Sequence, residues 1–188
     1  MKFTDSDILP AGLGRSLRFY VTNPSPCPYL PGMRERKAFT NLAVSDADSI
    51  HNSLSQAGFR RSQTIAYRPA CPRCNACRSV RVPTREFIQS RNDRRAMARN
   101  ASLVRSPVKA EATREQFRLL RDYVKTRHDK GGMSEMTYRD YATMVGGSPV
   151  QSLIFEYRDG TDSDAPLIAV SITDVLRDGF SMVYTFFD

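Results

Sequence analysis

Between Val150 and Asp188 the chain carries three β-rich runs, VQSLIFEYR, LIAVSITDVL and FSMVYTFFD, joined by the polar loop DGTDSDAP and the tight turn RDG. Runs of that length joined by such connections read as an antiparallel meander. A meander has an apolar face that must be covered, and the residues before it supply the cover. Thr113-Arg114-Glu115-Gln116 fits a capping box, and Phe117, Leu120 and Val124 form the buried stripe of a helix running to about Arg127. Gly131-Gly132 breaks that helix, Met133 to Met136 form a connector, and Tyr138 to Val145 form a shorter helix stopped by Gly146-Gly147-Ser148-Pro149. Residues 101 to 109 read as a further strand up to Val108. The last strand ends at Asp188 with a face that still needs a helix or strand over it, so the expectation is an α+β domain incomplete at its C-terminal side.

The first hundred residues read differently. RSLRFYVTN at 15 to 23 alternates as a short strand, and the proline-rich NPSPCPYLPGM that follows forbids regular structure. A strand is expected around Ala38 to Leu42. Ser45 then caps a helix whose apolar face is Ile50, Leu54 and Ala57, and Gly58 ends it. Thr64 to Tyr67 and Ser79 to Val82 read as β segments on either side of a cysteine loop, and Ser90 caps a short basic helix, RNDRRAMARN.

Charge is concentrated in one segment. Residues 60 to 109 hold thirteen basic side chains, twelve of them arginine, against Glu86 and Asp93, a surplus of eleven, whereas the rest of the chain holds fifteen basic against eighteen acidic. Such asymmetry points to a polyanionic partner, and arginine suits bidentate phosphate or carboxylate contacts. No run approaches the roughly 20 apolar residues of a membrane span. The N-terminus lacks the charged head, apolar centre and cleavage site of a secretory signal, so a reducing cytoplasmic location is expected.

In that setting four cysteines suit metal ligation or free thiols better than disulfides. Cys71, Cys74 and Cys77 stand in series at C-x-x-C spacing, and Cys27 can supply a fourth thiolate from the proline-rich loop. Four thiolates suit zinc or an iron–sulfur cluster equally, and a set of free thiols packed at a turn fits the same spacing. The two histidines read as a surface residue, His51, and a helix C-terminal residue, His128. Neither a phosphate-binding glycine loop nor a dinucleotide fingerprint is present, which disfavours nucleotide hydrolysis and nicotinamide chemistry.

CPYLPG at 27 to 32, RERKAFTNL at 34 to 42, GFRRSQTIAYRPACPRCNACRSVRVP at 58 to 83, RHDKGGMSEM at 127 to 136 and SMVYTFFD at 181 to 188 together resemble the bacterial aminoacyl-tRNA–protein transferases. That family includes the aspartate/glutamate leucyltransferases and is related to the eukaryotic arginyltransferases. The resemblance spans nearly the whole chain. It implies an enzyme that moves leucine, or arginine, from aminoacyl-tRNA to the N-terminal amine of proteins beginning with Asp or Glu, tagging them for N-degron proteolysis. It also implies an acetyltransferase-like (GNAT) mixed or antiparallel sheet with flanking helices, starting near residue 101, after a cysteine- and arginine-rich region of residues 1 to 100. Family members continue past YTFFD with a helix and further strands, so the domain is expected to be cut short here.

By the same resemblance Glu135 or Asp188 is the candidate base, and Arg60, Arg61, Tyr67, Arg68 and Tyr184 are candidate substrate-binding residues. Cys27, Cys71, Cys74 and Cys77 would form a zinc or iron–sulfur site or a redox sensor, although the chemistry itself requires no cofactor. Aminolysis of an activated ester needs mainly positioning and help with proton transfer. A reading from another class is a non-catalytic, metal-stabilised RNA-binding module.

Overall fold

The computed structural model describes residues 17–128, 131–162 and 164–188. They fall into two compact units, one running to Val80 and including Leu176–Gly179, the other comprising Arg81–Val175 and Phe180–Asp188. Among the described residues no helix is long and apolar enough to cross a membrane.

The first unit contains β1 (Tyr20–Val21), β2 (Ser25–Pro26), β3 (Arg34–Glu35), β4 (Lys37–Asn41), α1 (Ala47–Gln56), β5 (Arg60–Ser62) and β6 (Ile65–Pro69). β2 and β3 form a small ladder, and the other four strands form an antiparallel sheet in the order β1-β4-β6-β5. Of the run expected at 15 to 23 only Tyr20–Val21 is strand, and Arg15 and Ser16 lie outside the described residues. Helix α1 starts one residue later than expected, with Asp46 at its N-cap. Gly58, at φ +82°, turns the chain out of the helix so that the Phe59 amide donates to the Leu54 carbonyl at 2.9 Å. Leu42, Ile50, Leu54, Phe59 and Ala66 form the interior of this unit.

Two expectations for this region need correction. His51, read as a surface residue, is only 1% exposed. With Ala47, Ile50 and Leu54 it occupies the i, i+3, i+4, i+7 stripe that α1 buries. Counting aliphatic side chains alone hid a histidine in the same stripe. Ser79 to Val82 forms no strand, because its valines find no partner and remain exposed, Val80 at 89% and Val82 at 62%. β6 pairs with β4 on one side and, through a tight turn in which Gln63 takes φ +50°, with β5 on the other.

The second unit contains α2 (Arg91–Arg99), β7 (Leu103–Lys109), α3 (Arg114–Arg127), α4 (Tyr138–Gly146), β8 (Ser152–Asp159), β9 (Leu167–Leu176) and β10 (Gly179–Phe187). The expected meander is present, and its sheet has the order β10-β9-β8-β7. β7 is an edge strand, which is why it tolerates Pro107 opposite Phe155. Leu120 and Val124 of α3 and Tyr141 and Val145 of α4 pack with Ile154, Val170, Ile172 and Phe186 of the sheet into one cluster. Each of α2, α3 and α4 begins with a full capping box, from Ser90 and Asp93, Thr113 and Gln116, and Thr137 and Asp140.

Candidate functional site

In the first unit the sequence candidates separate by strand parity. Arg60 and Arg61 are adjacent on β5, so their side chains leave opposite faces of the sheet. Arg60 is exposed, whereas Arg61 is 5% exposed and donates Nη1 to the Gln63 carbonyl at 2.8 Å. Tyr67 stands directly opposite Arg60 in the β5–β6 register, and across the next ladder it faces Phe39, which in turn faces Tyr20 of β1. The Tyr20 and Phe39 rings are 5.6 Å apart, and the ammonium of Lys37, held by Glu35 at 2.9 Å, sits 5.9 Å from the Tyr67 ring centre. The Glu35 carboxylate accepts from this ammonium and raises the Lys37 pKa. Arg68 leaves the other face, where its guanidinium lies 5.0 Å from the Phe59 ring and Nη1 donates to the Ala57 carbonyl at 3.4 Å.

Cys27, Cys71 and Cys74 are half-buried and Cys77 is exposed, all as free thiols. The Cys71 sulfur accepts from the Arg36 amide at 3.5 Å and also faces the Arg36 carbonyl. Among the described residues no three Cys, His, Asp or Glu side chains converge as a metal-ligand set. Arg73 and Arg78 flank these thiols in the open.

In the second unit, α2 buries none of its residues and presents Arg91, Arg94, Arg95 and Arg99 to solvent. A nine-residue helix with no buried face is marginal by itself and depends on its capping box. Arg91, Arg95 and Arg99, four residues apart, lie along one side of it.

Helix α3 organises the remaining candidates. At its start, buried Gln116 donates to Glu156 Oε1 at 2.8 Å and accepts from the Tyr141 hydroxyl at 3.0 Å. Arg158 closes the network with Nη2 at 2.7 Å from Glu115 and 3.0 Å from Glu156. The Arg158 guanidinium holds the Glu115 carboxyl below the usual carboxylate range, and burial pushes the Tyr141 hydroxyl well above that of a free tyrosine. No sequence pattern singled out this network, although Glu156 and Arg158 on the inward parity of an apolar strand were a legible signal.

Further along α3, Phe117, Leu120 and Val124 line a cavity of about 270 Å³ with Met133 and Met136 of the connector, and Arg121, Lys125 and Ser134 complete its wall. Among the described residues, no carboxylate lines it. At the helix end, Tyr123 and Arg127 pack on Phe187 of β10, so the RHDKGGMSEM and SMVYTFFD segments meet. Asp129 and Lys130 of the former lie outside the described residues. Glu135 is exposed on the connector, Asp188 is exposed with its amide bonded to the Ile168 carbonyl, and Tyr184 is half-buried, which raises its hydroxyl pKa.

Comparison with known proteins assigns both halves of this architecture. Residues 25–95 match the family model for the arginine-tRNA-protein transferase N terminus, and residues 115–188 match the model for its C terminus. The class is therefore that of the aminoacyl-tRNA–protein transferases. The chain is 78% identical over all 188 residues to an aspartate/glutamate leucyltransferase of Hyphomonas neptunium, covering 75% of that protein. It is 52% identical over 176 residues to one of Caulobacter vibrioides, with 93% of this chain and 63% of the relative covered. A Bradyrhizobium relative is 53% identical over 177 residues, covering 91% of this chain and 69% of that protein. The chain belongs to the aspartate/glutamate leucyltransferase family, and it spans between 63% and 75% of the length of these relatives.

Proposed function

We propose that this chain transfers leucine from leucyl-tRNA to the N-terminal α-amine of proteins that begin with Asp or Glu, marking them for N-end-rule degradation in the cytoplasm. The observation that carries the reading is 78% identity to an aspartate/glutamate leucyltransferase over every residue of the chain. The β10-β9-β8-β7 sheet with α3 and α4 against it then belongs to an acetyltransferase-like fold.

The reaction is an aminolysis. The acceptor amine attacks the leucyl ester carbonyl, a tetrahedral intermediate forms, and the C–O bond to the terminal ribose breaks as the peptide bond is made. The amine loses one proton and the departing ribose oxygen gains one, so one group relaying a proton suffices. The pKa of the amine, about 8, leaves a usable neutral fraction near neutral pH, and the demand on a base is modest. Glu135 and Asp188 are the carboxylates suited to this relay, and the backbone of β10 is suited to orient the acceptor. No step runs through a metal or cluster.

Charge and shape support the substrate assignments. The four exposed arginines of α2 offer phosphate contacts at successive turns, the footprint expected for a tRNA backbone. The cavity beneath α3 suits leucine over arginine as donor, because the described residues of its wall are largely apolar and include cations but no carboxylate.

The test is transfer of radiolabelled leucine, or arginine, from charged tRNA to a peptide beginning with Asp, with an Ala-start peptide as control. Label from leucyl-tRNA on the Asp peptide alone is the expected result. A chain that binds tRNA but labels neither peptide from either donor would instead be an RNA-binding module.

A further inference from the structure

The outer face of the first unit's sheet carries an aromatic row that crosses three strands and ends in a cation on the fourth. Tyr20 of β1 pairs with Phe39 of β4, Phe39 with Tyr67 of β6, and Tyr67 with Arg60 of β5. Residues directly opposite across a ladder point to the same side with their Cβ atoms about 5 Å apart. The four side chains therefore form one continuous strip. The opposite face behaves differently: Ala38, Thr40, Arg61 and Ala66 are all buried there. The strip is accessible, with Tyr20 51% exposed, Arg60 exposed, and Phe39 and Tyr67 partly exposed.

A solvent-facing row of three rings has a cost in water that an interior row does not have. Every nucleobase offers a π-face, so rings in register across a sheet are a stacking platform for unpaired nucleotides, and an adjacent arginine reaches the phosphate between them. We propose that this strip binds the single-stranded 3′ end of the donor tRNA, with bases stacked on Tyr20 and Tyr67 to either side of the central Phe39 and with Arg60 on the backbone. The assignment rests on the transfer reading above and names the part of the donor that this unit holds. It also gives Arg60 and Tyr67 a shared task that their separation in sequence conceals. Lys37 contributes less, because Glu35 engages its ammonium.

The experiment uses the full chain and a short single-stranded RNA with 2-aminopurine near its 3′ end, whose fluorescence is quenched by stacking. The expected result is quenching on binding. Tyr20→Ala and Tyr67→Leu should each weaken affinity about 5- to 100-fold and relieve quenching, with the salt dependence unchanged. Arg60→Ala should leave quenching in place and reduce the salt slope by about one unit. A circular dichroism melt of each variant separates loss of binding from loss of fold. A wild-type chain that transfers leucine while the tyrosine variants bind and quench normally would overturn the proposal and leave the transfer reading standing. Quenching that depends on both tyrosines in a chain that transfers nothing would sustain the platform and remove the transfer reading. Substitutions that raise KM for the Asp-start peptide without touching RNA affinity would assign the strip to the acceptor and overturn the proposal.

Discussion

The guanidinium of Arg127 lies 5.0 Å from the ring centre of Phe187, joining the end of α3 to the end of β10 across sixty residues of sequence. Tyr123 completes the contact, 5.2 Å from Phe187 and 5.8 Å from the same guanidinium. A cation over an aromatic face at an exposed site contributes about 0.5–1 kcal/mol. Arg127→Ala and Phe187→Ala should each destabilise the chain, and the double variant should fall short of the sum by about that amount. Urea unfolding of the four proteins measures it, and strict additivity would mean that the two groups are merely adjacent.

The Glu115–Arg158 pair makes a pH prediction. Arg158 lowers the Glu115 pKa below its ordinary 4.5. A carboxyl depressed by folding contributes stability that is present above its unfolded pKa and is lost as pH falls through the folded value. Wild type should therefore be more stable than Glu115→Gln at pH 7, and the gap should close as pH drops below about 4.5. Half-exposure of the pair keeps the gap small. Thermal melts across that range test it, and a gap that widens toward acid would refute the assignment.

The cavity beneath α3 makes a specificity prediction. Met133 is half-buried on its wall, so a larger side chain there fills the cavity without disturbing Leu120 or Val124 beneath. Met133→Trp should raise KM for leucyl-tRNA about tenfold or more while the affinity for uncharged tRNA stays as it was. Equal loss for charged and uncharged tRNA would place the leucyl group elsewhere.

Most of the second unit is legible from the sequence because local signals agree there. Thr113 and Gln116 announce α3, the Phe117, Leu120, Val124 stripe fixes its buried side, and polar turns delimit β8, β9 and β10. Features that depend on pairing across the chain are not legible. RRS and SVRV look alike as β segments, and only the partner offered by β6 decides that Arg60–Ser62 is a strand and Ser79–Val82 is not. The aromatic row needs three registers at once, none of which a linear pattern contains. Gln116 carried a capping role in the sequence, but its buried contacts to Glu156 and Tyr141 come from residues 40 and 25 positions away.

Strand parity separates the surroundings of the two adjacent arginines. Arg60 and Arg61 look interchangeable in the sequence, yet one faces solvent beside Tyr67 and the other is buried with its guanidinium on the Gln63 carbonyl. That bond holds the turn in which Gln63 adopts φ +50°, a conformation that L residues other than glycine and asparagine seldom take. Removing Arg61 deletes a hydrogen bond from a charged donor, worth about 1.5–3 kcal/mol, and leaves its buried site unfilled. Arg61→Ala should therefore lower the melting temperature clearly, whereas Arg60→Ala should leave it unchanged and weaken RNA binding. Arg61→Lys should restore only part of the stability, because an ammonium lacks the planar fork that fits the site. Scanning calorimetry alongside filter binding for the three variants checks this. An Arg61→Ala protein as stable as wild type but deficient in binding would transfer the functional role to the buried residue.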